Sequence, residues 1–249
     1  MIKTIYILWL RQIKRYWRTK SRILGSLGQP ILLLISLGFG MRATFAQAEG
    51  IDYISFLTPG IISQAVVFMA IFNGVELIWD KQFGFLKETL VAPVSRLSIV
   101  LGRVLGGATV ATLQGLLVFC LTLFVGFRPI NVWLVPVVFL VIFLIALLYA
   151  SLGTAIAATM EDFHGFQLIM NFVVMPSFFL SGALFPLEKA PQVLRGIAFI
   201  NPLTYGVDTL RGLLIGINIF EFWNNVLILS SISIFLLVLA SYLFSRIEA

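Results

Sequence analysis

The chain has 249 residues, of which 60% are apolar and 11% charged, and its mean hydropathy is +1.04. Roughly a quarter of an ordinary soluble domain is charged, so this composition excludes a mostly water-facing surface and calls for lipid as solvent. At about 20 apolar residues per crossing, the length admits six or so spans and no sizeable soluble domain. The net charge of +6 does not point to nucleic acid. Lys and Arg stand at the ends of apolar runs, as topology and anionic headgroups require.

Residues 3–22 are predicted to form an amphipathic helix lying in the headgroup plane. Ile5, Leu8, Trp9, Ile13, Tyr16 and Trp17 recur near helical spacing, and Arg11, Lys14, Arg15 and Arg18 take much of the remaining surface. No cleavable signal peptide is evident, because the next apolar run is long enough to span. The first span is expected over 23–45, kinked at Gln29-Pro30, with a polar turn from Gln47 to Asp52. The second covers 53–78. A third, over 97–127, carries Gly102, Gly106 and Gly107, which permit close helix packing. A tight turn leads to the fourth span, 132–158, and a brief polar turn around His164 to the fifth, 166–182. Residues 184–216 mix Pro186, Pro191 and Pro202 with apolar clusters too short to span, so they are expected to dip part-way into the membrane as re-entrant segments. The last span is 222–244.

Between the second and third spans, residues 80–95 are too charged to cross, yet Phe83, Phe85, Leu86, Leu90 and Val91 make one side sticky. A short amphipathic helix ended by Ala92-Pro93 is predicted. It is either a plain solvated loop with a helical turn or, since exposed apolar groups stand beside Lys81, Lys87 and Glu88, a docking surface for a cytoplasmic partner.

Counting Lys and Arg fixes the expected orientation. The N-terminus, the 79–103 connection, the His164 turn and the tail hold twelve; the opposite set, Arg42, Arg128, Lys189, Arg195 and Arg211, holds five. Six spans with both termini cytoplasmic follow.

Motifs for chemistry are missing. There is no Gly-Lys dipeptide and hence no phosphate-binding P-loop, no HExxH, no CxxC and no Gly-x-Ser-x-Gly elbow. No catalytic residue, metal site or cofactor of the chain's own is expected. His164 beside Glu161 and Asp162 reads as a solvated turn rather than a metal site, and the single Cys120 as a small buried hydrophobe. No acid stands clearly at mid-bilayer; Glu76 and Asp208 are the nearest to intramembrane acids, which weakens an ion-driven carrier. The mild mid-span polar residues Gln64, Asn73, Gln114 and Asn171 are candidates for lining a substrate path, with helix packing as their other reading.

The stretch Gly84 to Arg96, GFLKETLVAPVSR, followed by Leu101-Gly102-Arg103, resembles the signature of ABC-2 type permeases. Further matching features are the basic RQIKRYWR opening with Gln29-Pro30, Thr58-Pro59-Gly60, and PSFFLSG (Pro176 to Gly182) with Phe185-Pro186. Asn201-Pro202-Leu203-Thr204-Tyr205 with Arg211 also matches. They run over nearly the whole chain in the family's order, and the LVAPVSR wording is most similar to the daunorubicin-resistance and nodulation-factor exporter branch.

The resemblance implies an all-α polytopic membrane protein with the type V exporter-like ABC-2 fold: an interfacial helix, six transmembrane helices, a coupling helix in the first cytoplasmic loop and re-entrant helices before the last span. It implies a permease in the cytoplasmic membrane that exports a drug, lipid or glycolipid. A second permease copy, a homodimer being expected, and two copies of an ATPase would complete it, with ATP and Mg on the ATPase. Lys81, Phe83, Gly84, Phe85, Leu86, Lys87, Glu88, Leu90, Pro93 and Arg96 would then couple to that partner. Pro176, Gly182, Phe185, Pro186, Asn201, Pro202 and Arg211 would belong to the re-entrant gate. A self-sufficient carrier or channel is the alternative, and a membrane-embedded enzyme, for which no residue is nominated, a third.

Overall fold

A computed structural model describes residues 1–49, 51–91 and 93–247, without the side chains of Ala46, Ala48, Glu49 and Leu90. The expectations for Gly50, Ala92, the side chain of Leu90 and residues 248–249 therefore lie outside the described residues. Every regular element among those described is helical: α1 (Ile2–Arg18), α2 (Lys20–Leu33), α3 (Arg42–Glu49), α4 (Tyr53–Gln82), α5 (Phe85–Val91), α6 (Arg96–Phe124), α7 (Val135–Thr159), α8 (Phe163–Phe179), α9 (Gln192–Ile200), α10 (Pro202–Ile215) and α11 (Phe222–Ser245).

Five of these stretches are long and apolar enough to cross a membrane: Lys20–Phe39, Tyr53–Gln82, Arg96–Phe124, Val132–Thr159 and Phe222–Ser245. The apolar α8 is shorter, at 17 residues. Helix α4 forms the centre, buried on nearly all sides and packed against α6, α7, α8 and α10. Helices α7 and α11 pack along one another, while few residues of α2 and α11 are fully buried. A helix apolar all round and exposed on one side needs lipid there.

Local chemistry sets the helix ends. Asn201 starts α10 by accepting from the Leu203 N–H at 3.1 Å, with Pro202 as its first residue. Asp162 starts α8 by accepting from the N–H groups of His164 and Gly165 at 2.7 and 3.0 Å. The His164 turn is thus an exposed helix cap.

Several expected boundaries differ. The first long helix ends at Phe39, not 45, because the chain bends at Met41 and restarts as α3. That short helix also replaces the first part of the polar turn, and its Arg42 reaches Asp52 at 2.7 Å. One turn beyond Pro30, the helix widens into a π-helical turn, Leu34–Phe39. Helix α4 continues to Gln82 rather than stopping at 78, because Asp80 and Lys81 find partners inside the protein. Cys120, expected buried, is exposed: the outer part of α6 stands at the periphery, where Leu117 and Phe124 are exposed as well.

Candidate functional site

The charged end of the bundle is assembled from four elements. Helix α1 lies alongside the first half of α6, where Gly102 and Gly106 leave room for it. A Cβ at Gly106 would stand 2.7 Å from Gln12 Cγ, and one at Gly102 2.8 Å from Leu8 Cβ. Trp9 Nε1 donates to Thr109 Oγ1 at 3.0 Å and Tyr16 Oη to Gln114 Oε1 at 2.8 Å, so α1 is pinned over several turns. Burial, opposed by the Arg22 charge, pushes the Tyr16 phenol up to about 12. It therefore stays protonated and can donate.

That placement turns Arg11 and Arg15 toward α4. Arg11 meets Asp80 at 3.3 Å and Arg15 meets Glu76 at 3.5 Å; Arg22 at the start of α2 meets Glu76 at 2.9 Å, and Arg103 of α6 donates to Asp80. Asp80, Glu76 and Arg103 are buried. Two carboxylates on one helix thus bind arginines from α1, α2 and α6, and each charge removed from water has a partner. Arg15 also lies over the Trp79 ring at 5.7 Å and Arg22 over Phe72 at 4.7 Å.

Beyond this network the chain turns. Gly84, at φ +79°, ends α4 in the left-handed region that a side chain disfavours, and α5 begins at once. The five side chains flanking Gly84 divide. Leu86 is buried, whereas Phe83, Phe85, Lys87 and Glu88 are exposed, Phe83 by 71% and Phe85 by 53%. A cleft lies on each side of α5. One, of about 730 Å³, joins Phe83 and Phe85 to Arg11, Lys14, Arg15 and Arg18 of α1. The other, of about 700 Å³, joins Leu86 and Lys87 to the ends of α7 and α11. Two exposed aromatic rings on a charged rim form a surface suited to a protein partner.

Besides Leu86, two further members of the expected coupling set bond to their own protein. Lys81 Nζ donates to the carbonyls of Ala157, Ala158 and Met160 at 2.8–2.9 Å. Arg96 donates to the carbonyls of Ser245 and, at 3.0 Å, Ile247. Pro93 is exposed just past α5.

Of the path candidates, Gln64, Asn73 and Gln114 are buried along the seams of α4 and α6, and Asn73 Nδ2 donates to the Arg103 carbonyl at 3.5 Å. Gln64 faces a cavity of about 90 Å³ shared with Ser26 and Gln29. Asn171 stands apart, exposed on α8.

At the opposite end, Asn201 Nδ2 bonds the Ser177 carbonyl at 2.7 Å, and Arg211 bonds the Gly182 carbonyl at 2.8 Å while lying 4.0 Å from the Phe56 ring centre. Pro176 falls inside α8 and Gly182, Phe185 and Pro186 in the loop after it. These gate candidates thus join the α8 end, the following loop and α10, with Pro202 at the head of α10. Asp208 accepts from the N–H groups of Ile219 and Phe220 and from Asn225 at 2.7–3.0 Å. Both Glu76 and Asp208 are therefore held by the protein itself.

Asp80 was missed by sequence reasoning. Its signal was available: Glu76 and Asp80 are four apart on α4, Arg11 and Arg15 four apart on α1, and such spacings place both pairs on single helix faces. No group of three residues able to hold a metal ion occurs among the described residues.

The chain is 31% identical over 230 residues to a putative transport permease, ycf38, of Pyropia yezoensis, covering 90% of this chain and 77% of that one. It is 29% identical over 199 residues to nodulation protein J of Rhizobium leguminosarum bv. viciae, covering 79% and 76%. To the inner membrane transport permease YadH of Escherichia coli K12 it is 28% identical over 216 residues, covering 85% and 82%. A family model described as ABC-2 type transporter matches residues 3–215, and with α1 from its second residue, the central α4 and the α4–α5–α6 turn inside that match, the chain belongs to the ABC-2 type transporter family as a membrane permease.

Proposed function

We propose that this permease exports a hydrophobic or amphiphilic compound, a drug, lipid or glycolipid, across the cytoplasmic membrane, powered by a separate ATPase. The observation that carries this reading is α5: two aromatic rings, Phe83 and Phe85, stand exposed at the charged end of the bundle between two clefts, beside exposed Lys87 and Glu88. A free-standing carrier has no use for such a surface. An ABC permease uses one to receive force from its ATPase.

On this reading α8 is the sixth span, since 17 residues fall at the short end of the spanning range. The charged end faces the cytoplasm with both termini, and α9 and α10 form the re-entrant pair. The basic α1 lies at the membrane surface with Ile2, Tyr6 and Trp17 exposed toward lipid. Two ATPase copies bind two permease copies in a homodimer. ATP and Mg belong to the ATPase, and this chain supplies no cofactor or catalytic residue. Nucleotide-driven closure of the ATPases pushes on α5, and the cavity between permeases changes from inward to outward access. The permease contributes a bistable arrangement, and ATP supplies the free energy.

The test is purification of the tagged chain in mild detergent with its native neighbours co-expressed. A stoichiometric P-loop ATPase, lost on Phe83→Asp or Phe85→Asp while membrane insertion is unchanged, is the expected result. Recovery of the chain alone, able to move solute down an ion gradient, would favour the self-sufficient carrier.

A further inference from the structure

The α4–α6 connection is tied at both ends to helices it does not join. On one side Lys81 spends all three ammonium protons on carbonyls at the end of α7 and just past it: Ala157 at 2.9 Å, Ala158 at 2.8 Å and Met160 at 2.9 Å. Gln82 Nε2 adds a bond to the Glu161 carbonyl at 3.0 Å. On the other side Arg96 Nη1 bonds the carbonyls of Ser245 and Ile247, where α11 ends. Helix C-termini leave carbonyls unpaired and carry the negative end of the helix dipole, so a cation from another element is the fitting partner. Helices α7 and α11 in turn pack along each other. The chain around α5 therefore holds four helix ends: α4 and α6 covalently, and α7 and α11 through Lys81 and Arg96.

We propose that Lys81 and Arg96 are positioning residues that make α5 and the ends of α4, α6, α7 and α11 a single rigid block, so that force received by α5 moves four helices together. This rests on α5 being the ATPase-docking helix. Neither side chain is part of the docking face, which consists of Phe83, Phe85, Lys87 and Glu88. Leu86, buried beneath α5, fills the base of the same block. Beyond its start, which the Arg22–Glu76 pair holds to α4, helix α2 lies outside the block with much of its surface exposed.

The experiment uses the permease–ATPase complex purified from native membranes, with Cys120→Ser removing the native thiol. Spin labels replace Val91 on α5 and Thr159 at the end of α7; a second pair joins Val91 to the exposed Leu32 in the last turn of α2, away from the Arg22 tie. Trapping with ATP and vanadate is expected to change the Val91–Leu32 distance and leave Val91–Thr159 fixed. Lys81→Met should let Val91–Thr159 shift by about 2 Å or more, the scale of helix slippage, at an unchanged thermal transition of the complex. Lys81→Arg should restore the fixed distance, which a merely structural contribution to stability would not predict. Arg96→Met, read between Val91 and Tyr242, is the parallel test should Lys81→Met fail to assemble.

A Val91–Thr159 distance that follows nucleotide in the unsubstituted protein overturns the rigid block and leaves docking intact. So does a distance that stays fixed in Lys81→Met while Val91–Leu32 moves. Should neither pair respond in a complex that hydrolyses ATP, α5 carries no load and the block is likewise overturned. Absence of a bound ATPase removes the docking reading and this inference with it.

Discussion

At the scale of single residues, the strongest commitments are the carboxylates of α4. Asp80 is buried between Arg11 and the equally buried Arg103. Removing one partner of a buried pair leaves the other charge without compensation, which costs about 3 kcal/mol or more. Asp80→Ala should therefore lower the thermal unfolding temperature of the detergent-purified protein, and adding Arg103→Met should recover much of the loss. If the double variant is as unstable as the single one, the pair is not what holds this corner. The neighbours on α5 divide in the same physical terms. Phe83→Asp and Phe85→Asp should insert and fold normally yet lose the partner, whereas Leu86→Asp buries a charge in the core and should reduce the yield of folded permease itself. Sequence alone grouped Leu86 with Phe83 and Phe85. Helix α5 spans only Phe85–Val91, two turns, too short for its periodicity to say which side is covered. The acid–base pairs were legible only as spacings. The sequence marks Glu76 as one of the two acids nearest to intramembrane, without its partners, because its two arginines come from α1 and α2, far away in the chain.

At the scale of elements, apolar run length and turn chemistry made the helices legible, and tertiary pairing moved their ends. Helix α4 outlasts its apolar run by a turn because Asp80 and Lys81 are satisfied within the protein. Helix α1 illustrates the limit better. Its amphipathic pattern was plain, but the pattern could not show that Trp9, Gln12 and Tyr16 pack on α6, nor that Arg11 and Arg15 turn to α4 instead of solvent. Gly102 and Gly106 carried the hint of the α6 contact, as small residues inviting a close neighbour. Gly106→Leu should displace α1 from α6, expose Trp9 and weaken the Arg11–Asp80 contact. A red shift in tryptophan emission and faster proteolysis near the N-terminus would register this. Unchanged emission and proteolysis would mean that α1 does not depend on the α6 groove.

At the scale of the whole molecule, one buried helix, α4, links the two ends. Its charged end is packed against α1, α2 and α6 through ion pairs, and its other end lies near the loop after α8, where the Tyr53 hydroxyl bonds the Leu184 carbonyl at 3.0 Å. A movement received at α5 thus enters at one end of a helix whose other end adjoins the proposed gate. That arrangement suits a permease driven from the cytoplasm by an ATPase, and the most direct measurement is where such an ATPase touches. A photoreactive residue placed at Phe85, with a second chain carrying it at Trp223 at the start of α11 as the control, would be irradiated in membranes containing the native neighbours. The expected result is a covalent adduct to a P-loop ATPase from position 85 and none from position 223. No ATPase adduct from position 85, or equal adducts from both, would contradict the assignment of α5 as the ATPase-docking helix.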